Sequence, residues 1–370
     1  MKISSVDILY LYYTDKEGNI SIGGVQSYIR ELSSLIVEMG MNVRIIQFSD
    51  SPFTLRLSEK IRVESFAISC KNPNKRYRKL YEEALRTRTE PSFTIFAADT
   101  IVPHKINEPC LTIQHGIFWD IPLKTTRPLF HQSISRAIAS YRQIRRLRQV
   151  SQVVCVDYNF VNWYRTQLDR VENHFHVIPN YARIAPNSPK QQEEICLIFA
   201  RRLFDYRGTR VFTKAIKPLL ERYPNLKITI AGSGPDESWM KEQLSFCDRV
   251  QFIRYTADCS LDIHRSHHIA AVPSVGSEGT SLSLLEAMAA GCAVVCTDVG
   301  GMTQIIIDGY NGFIVPAAQT EPLRDALEKL ISDSVLRQKL ANRAYETASA
   351  AFSYERWQAE WKKLLQEILF

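Results

Sequence analysis

The chain has 370 residues, 45% of them hydrophobic and 23% charged, with no long low-complexity tract. Those proportions exclude a disordered chain, and the length exceeds what one ordinary hydrophobic core fills, so two globular domains are expected. The formal charge of +7 is unevenly placed: residues 121–156 hold Lys124, Arg127, Arg136, Arg142, Arg145, Arg146 and Arg148 and no Asp or Glu, which leaves the remainder formally neutral.

No stretch approaches the roughly 20 apolar residues of a membrane-spanning helix, and Met1-Lys2-Ile3-Ser4-Ser5 runs into a strand rather than a signal peptide. A cytoplasmic protein is therefore expected. Eight cysteines, Cys70, Cys110, Cys155, Cys196, Cys247, Cys259, Cys292 and Cys296, form no CxxC pair, and several sit in apolar runs such as Val153-Val154-Cys155-Val156. They read as buried free thiols rather than as disulfides or a zinc site.

Taken in chain order, short apolar runs alternate with stretches of helical period, the pattern of parallel sheets covered by helices on both faces. In the first half, strands are expected at Val6 to Tyr12, Val43 to Phe48, Ile61 to Ala67, Phe93 to Ala97, Leu111 to Gln114, Val153 to Val156 and His176 to Ile178. A helix from Gly24 to Gly40 places Val25, Tyr28, Ile29, Leu32, Leu35, Ile36 and Met39 on one face. Between Ser133 and Gln149, Ile134, Ala137, Ile138, Tyr141, Ile144 and Leu147 also share a helical face, bordered by Arg136, Arg142, Arg145, Arg146 and Arg148. Two readings of that helix stand level. It rests on anionic lipid at the inner membrane face, each cation contributing about 1 kcal/mol, or it faces the core with a solvated basic surface. Nucleic acid ranks last, because no recognised nucleic-acid module is present.

After Pro179-Asn180-Tyr181 the polar stretch Ala185 to Glu194 reads as a linker. Strands follow at Ile195 to Ala200, Lys227 to Ala231, Val250 to Ile253, Ile269 to Val272 and Ala293 to Cys296, with helices at Thr209 to Arg222, Glu237 to Phe246, Ser260 to Ser266 and Leu282 to Ala290. A last helix, Ser353 to Leu369, carries Trp357, Trp361, Leu364, Leu365 and Ile368 on one side. The expected domains are 1–180, 181–352 and a helix at 353–370 that packs back on the first domain, with edge packing in the second domain as the alternative.

Open α/β sheets bind ligands beyond the carboxyl ends of their strands. The first such loop holds Ile22-Gly23-Gly24-Val25 before the long helix; paired glycines let backbone approach a phosphate or sugar, although a tight turn explains them equally well. In the second half, Arg201-Arg202-Leu203 ends a strand and Arg207-Gly208-Thr209 opens a helix, a grouping that suits a diphosphate, with a solvated basic turn as the bland reading. The central constellation is Glu278-Gly279-Thr280-Ser281-Leu282-Ser283-Leu284-Leu285-Glu286. Its two carboxylates can meet sugar and ribose hydroxyls, and the Gly-Thr-Ser backbone between them can meet phosphate. A capping box of Ser283 and Glu286 would explain Glu286 alone.

Glu278 to Glu286 resembles the E-x7-E motif of the retaining GT-B-fold glycosyltransferases, the group that includes glycogen-synthase-like and bacterial polysaccharide enzymes. Ile230-Ala231-Gly232-Ser233-Gly234-Pro235, Val299-Gly300-Gly301 and Asp308-Gly309-Tyr310-Asn311-Gly312-Phe313 are similar to flanking segments of that family. So are Gly23-Gly24-Val25, Gln114-His115-Gly116 and Val177-Ile178-Pro179-Asn180 in the first half. The resemblance implies two doubly wound Rossmann-like domains facing each other across a cleft. It also implies transfer of a sugar from a nucleoside diphosphate sugar to a hydroxyl of a glycan or lipid-linked glycan, with retention. By residue, it implies that Glu286 binds the donor ribose, Glu278 the transferred sugar, and Arg202 and Arg207 the diphosphate leaving group. His115 would touch the donor sugar near the reacting carbon, while Gly23, Gly24, Gly279, Thr280, Ser281 and Leu282 would line the donor site. Arg201 stands where the family usually has glycine and Arg207 where it usually has lysine, so charge is kept with a different shape.

By itself a histidine at the position of His115 is more often structural, and the pair His267-His268 is read as structural. No DxD-like carboxylate pair is present and no covalent nucleophile stands out, so metal independence and front-face attack assisted by the leaving diphosphate are expected, with no cofactor besides the donor substrate. A nucleotide-sugar epimerase and a non-catalytic nucleotide-sugar-binding protein are the competing readings.

Overall fold

The computed structural model describes residues 3–20, 23–120, 128–167, 174–186, 190, 194–256, 259–276 and 278–370. Ile22, Lys124, Arg127 and much of the expected linker lie outside them. The first sheet is built from β1 (Ser5–Leu9), β2 (Asn42–Phe48), β3 (Phe53–Arg56), β4 (Ile61–Phe66), β5 (Ser92–Phe96), β6 (Cys110–Gln114), β7 (Gln152–Cys155) and β8 (Phe175–Val177). Its order is β3-β4-β2-β1-β5-β6-β7-β8, parallel throughout except that β3 runs antiparallel to β4. Register is set by apolar pairs: Val6 faces Val43 on one side and Phe93 on the other.

Alternation along the strands feeds two cores. Val6, Ile8, Val43 and Ile45 pack with α1 (Gly24–Glu38), whereas Leu9, Ile46 and Phe48 turn to the face covered by α2 (Pro73–Arg86), α3 (Leu129–Leu147) and α4 (Tyr158–Arg165). One polar device is buried on that second face. Arg44 donates to Asp7 at 2.7 and 2.9 Å, to Glu64 at 3.0 Å and to the Ala84 carbonyl at 2.8 Å. Arg88 joins Asp7 to Glu108, so each buried charge has a hydrogen-bonded counterpart.

The second sheet contains β9 (Ile195–Ala200), β10 (Leu226–Ala231), β11 (Val250–Ile253), β12 (Ile269–Val272), β13 (Ala293–Thr297) and β14 (Phe313–Val315). Its order is β11-β10-β9-β12-β13-β14, all parallel. One face packs on α5 (Thr209–Arg222), α6 (Glu237–Leu244) and α9 (Thr320–Ser332), and the other on α7 (Ser260–Arg265), α8 (Leu282–Ala289) and α10 (Ser334–Ala351). Both sheets are thus doubly wound. Strand β1 stops at Leu9 rather than Tyr12, and β3, β14 and helices α2, α4, α9 and α10 are additions to the expected elements.

The chain leaves the first sheet and returns to it side by side. Ala182 N–H donates to the Phe352 carbonyl at 2.9 Å, and Ala182 bridges to Ser353. Helix α11 (Tyr354–Leu369) then lies on the α1 face of the first sheet, where Trp357, Trp361, Leu364, Leu365 and Leu369 join its core. Trp361 Nε1 donates to the Tyr28 hydroxyl at 2.8 Å. Tyr181 packs on Tyr354 and Trp357, with centroids 4.9 and 4.7 Å apart.

Helix α3 divides. Gln143, Ile144 and Leu147 are buried, but Leu129, Phe130, Ile134, Ile138 and Tyr141 are exposed, so the core-facing reading holds only for its last turns. All eight cysteines are free; Cys110, Cys155, Cys292 and Cys296 are buried, whereas the other four are at least partly exposed, which corrects the expectation of uniformly buried thiols. Among the described residues, no helix is long and apolar enough to cross a membrane.

Because Trp361 is fully buried and anchors α11, Trp361→Ala is expected to remove about 3–5 kcal/mol from the first half. Guanidinium unfolding followed by circular dichroism should show an earlier transition; an unchanged midpoint would contradict the packing described.

Candidate active site

The carboxyl ends of the two sheets face one another, and the loops that follow β12 and β6 meet there. Gly116 Cα is so close to the second sheet's loop that a Cβ at Gly116, whose φ is +142°, would lie 3.2 Å from the Gly279 nitrogen. A Cβ on Gly279 would lie 2.5 Å from the His115 carbonyl, so a side chain there would force the halves apart. The contact is extended by Thr280, whose hydroxyl donates to the Val156 carbonyl and whose carbonyl accepts from Asn180 Nδ2 at 2.7 Å. Tyr158 N–H donates to Gln304 Oε1 at 2.9 Å across the same seam. On the other flank, Gly24 at the start of α1 sits opposite Leu282, whose Cδ1 would be 3.1 Å from an added Cβ.

Glu278 is buried at this seam. Its Oε1 accepts from Arg201, from Arg207 Nη1 and from the Ser274 hydroxyl. Burial alone would raise its pKa, but the two guanidinium groups outweigh burial and hold it below the usual carboxylate range. The stability it contributes is therefore present above the ordinary glutamate value of about 4.3 and lost as pH falls through its lowered one. Arg207 reaches the site from the short 3-10 turn before α5, where Gly208 takes a left-handed φ of +85°. Arg201 is 8% exposed, and its Nε and Nη1 find no hydrogen-bond partner.

Arg201 and Arg207 are the arginines that meet Glu278. Arg202 is exposed; it donates to the Tyr206 hydroxyl at 3.3 Å and its charge lowers the otherwise raised pKa of Tyr10, beyond the end of β1.

Glu286 lies within α8. Ser260 Oγ donates to its Oε2 at 2.6 Å, and burial pushes its pKa up to about 7, with Ser260 opposing. The capping-box reading fails: the N-cap of α8 is Ser281, and Glu286 turns toward α7 instead of back to Ser283. Ser281 and Ser283 hydroxyls are 3.4 Å apart.

His115 Nε2 donates to the Ala97 carbonyl at 2.9 Å, and its ring meets Tyr28 edge to face with centroids 5.2 Å apart. Burial drives its pKa down to about 4, so the imidazole is neutral at pH 7 and Nδ1 is left as the acceptor. His267 and His268 are held elsewhere, His267 between Thr229 and the Ile263 carbonyl and His268 by the Cys196 N–H. Among the described residues, no group of three His, Cys, Asp or Glu is placed to hold a metal ion.

Residues 180–347 match the family described as Glycosyl transferases group 1. The chain is similar to the phosphatidyl-myo-inositol mannosyltransferase of Mycobacterium leprae, 24% identical over 331 residues, which cover 86% of each chain. In fold it is similar to the sucrose-phosphate synthase of Thermosynechococcus elongatus, with a TM-score of 0.77 at 15% identity over 99% of both chains. It is also similar to Anabaena HepE in complex with UDP-glucose, with a TM-score of 0.71 at 16% identity over 98% of this chain and 99% of that one.

One buried and one partly exposed guanidinium sharing one carboxylate make a direct prediction. Glu278→Gln should cost about 3–5 kcal/mol, chiefly by taking the counter-charge from the buried Arg201. Pyrophosphate should then raise the melting temperature of the variant more than that of the parent in a thermal-shift assay; equal shifts would count against an anion-binding cluster.

Proposed function

We propose, from the premise that the chain belongs to the glycosyl transferases group 1 family with its GT-B fold of two Rossmann-like domains, that the seam around Glu278 transfers a sugar from a nucleoside diphosphate donor. The acceptor is a hydroxyl of a glycan or lipid-linked glycan. The observation that carries this reading is the Glu278 carboxylate shared by Arg201 and Arg207 at the carboxyl end of β12, with Glu286 one turn and more further into α8. A diphosphate supplies the negative charge for which Arg201 has two unused donors. Once it takes the arginines, Glu278 is released to accept hydrogen bonds from the transferred sugar.

In this reading Glu286 accepts from the ribose hydroxyls, and the Gly23-Gly24 turn and Ser281-Leu282 enclose the donor. Gly279 and Thr280 hold the two domains together at the reacting end. His115, neutral and fixed by Ala97, offers an uncharged edge to the donor sugar. Arg202, at the exposed mouth, attracts the donor's phosphates. Guanidinium groups neutralise the departing diphosphate without a metal, and attack occurs on the face it leaves, so configuration is retained.

Helix α3 supports a membrane-surface location for the lipid-linked acceptor. Phe130, Ile134, Ile138 and Tyr141 form an exposed apolar strip at helical spacing, and Arg136, Arg142, Arg145 and Arg148 are exposed around it. Arg146 is committed in part to Asn74 at 2.6 Å.

Incubation with a panel of nucleotide sugars and candidate acceptors in the presence of EDTA should release nucleoside diphosphate. Glu278→Ala, Arg201→Ala and Arg207→Ala should each lower kcat about 10²–10³-fold, the usual loss of a charge-stabilising group. Release of an isomerised donor without nucleoside diphosphate would replace this reading with an epimerase. Flotation should recover the chain with vesicles containing phosphatidylglycerol but not with phosphatidylcholine alone, and Ile134→Ser combined with Arg142→Glu should abolish recovery. Binding unaffected by those changes would rule out α3 as the contact.

A further inference from the structure

We propose that Asp157 is a brake on the seam: when ionised it opposes the contact of the second domain's Gly279 and Gly301 loops with the first domain. The halves then close fully only when this carboxylate is protonated or a ligand in the cleft supplies the difference. Val156, Asp157 and Tyr158 lie where β7 gives way to α4, and all three meet the second domain. Val156 offers its carbonyl to the Thr280 hydroxyl and Tyr158 its N–H to Gln304, so both neighbours of Asp157 gain hydrogen bonds from the contact. Asp157 gains none. Its Oδ1 caps α4, accepting from the Asn159 and Phe160 N–H groups at 2.8 and 3.4 Å. Its Oδ2 has no hydrogen-bond partner, in a residue that is 4% exposed.

The second domain is what shuts that oxygen from water. A Cβ on Gly301 would lie 2.8 Å from Oδ2 and one on Gly279 3.2 Å, so bare glycine backbone closes over it. The Gly301 N–H is already given to the Glu278 carbonyl at 3.2 Å. Among the described residues, the titratable groups on the surrounding elements bring no compensating charge. Cys155 on β7 is a buried thiol whose own pKa is raised by burial and by Asp157 and Asp99. His115 on the β6 turn is neutral at pH 7, the Glu278 carboxylate is turned to its arginines, and Tyr158 is exposed. Asp120 and Arg136 line a pocket of 410 Å³ beside Asn159 and Gly300, and Arg136 is exposed there. Burial therefore outweighs the two N–H donors and raises the Asp157 pKa to about 6.

The chain crosses between the halves side by side at Ala182 and at Phe352-Ser353, so the seam can part about that pair of crossings. Parting returns the carboxylate to water and to the ordinary aspartate value of about 3.9. Because the closed form has the raised value, it binds the proton more tightly. Closure is unopposed below about pH 3.9 and increasingly opposed as pH rises; from about pH 6 upward it is disfavoured by the full difference, about two pH units or a hundredfold. A ligand that prefers the closed form by more than that factor overcomes the brake. Under the glycosyltransferase reading, on which this use of the brake rests, the seam reopens when the nucleoside diphosphate leaves.

The test uses the full chain. Asp157→Asn removes the charge and keeps the helix cap, since asparagine and aspartate cap equally well; circular dichroism checks that it is folded. Small-angle X-ray scattering without nucleotide should give the parent a larger radius of gyration than Asp157→Asn at about pH 7.5. On lowering to about pH 5 the parent's closure constant should rise about tenfold and its radius approach that of the variant, which changes little. Gly301→Ala, whose Cβ would strike Oδ2 and the Gly279 backbone, should stay expanded at both pH values. Whichever of UDP, GDP or ADP binds the parent most tightly by calorimetry should bind Asp157→Asn at least about tenfold more tightly at the higher pH. Equal radii of parent and Asp157→Asn at the higher pH, or an equal contraction of the two as pH falls, overturns the brake. Equal nucleotide affinity beside unequal radii overturns its link to the donor. Failure of the parent to bind any of the three nucleotides would instead sink the donor reading, and the scattering would still decide the brake.

Discussion

A carboxylate taken out of water must be given positive partners, and the burial of Glu278 organises the seam between the two sheets around that requirement. The charge sits at the end of β12, close against the first domain, where desolvation would otherwise protonate it. Arg201 from the end of β9 and Arg207 from the turn before α5 converge on one of its oxygens. Convergence of both on that oxygen leaves other guanidinium nitrogens of Arg201 buried and unsatisfied, an arrangement that is costly unless an anion completes it. The same pair of arginines therefore does two jobs: it holds the carboxylate ionised and keeps an unmet demand for negative charge in the cleft.

Much of the fold was legible because buried parallel strands are continuous apolar runs, and eleven of the expected strands in both halves coincide with observed ones to within a few residues, save the overlong first. The missed pieces are those with weak local signals. Strand β3 is a half-exposed edge, and β14 has only three residues. Helix α10 buries mainly alanines, so its sequence carries no strong amphipathic stripe. The site was legible as a set of neighbours and less so as a set of partners. Glu278, Arg207 and His115 come together at the seam between the sheets, and of the adjacent arginines it is Arg201 that meets the Glu278 carboxylate. A family pattern aligns letters and is silent on which of two adjacent arginines a given carboxylate draws.

Helix α3 shows a second limit of periodicity. Its apolar residues recur at helical spacing over the whole length, but the fold covers only the last turns, where Gln143, Ile144 and Leu147 are buried. An amphipathic pattern states that one face prefers to leave water and is silent on whether protein or lipid receives it. The side of α3 that is not against its own core is divided between an apolar strip and the pocket wall that includes Arg136.

Glu278 and Glu286 also show how two like residues on one loop and helix are given different characters. Arginines depress the first, while burial with a single serine partner lifts the second to about 7. Glu286 is thus near its titration midpoint at neutral pH, with Ser260 alone donating to it among the described residues. Two ribose hydroxyls donating to that carboxylate would favour its ionised form, so nucleotide binding and deprotonation of Glu286 should reinforce each other. Glu278 is held ionised by its arginines, and once a diphosphate draws them away the hydroxyls of the sugar must supply the hydrogen bonds that replace them. In the proposed reaction Glu286 senses whether a nucleoside is present and Glu278 responds to whether its diphosphate has drawn the arginines away.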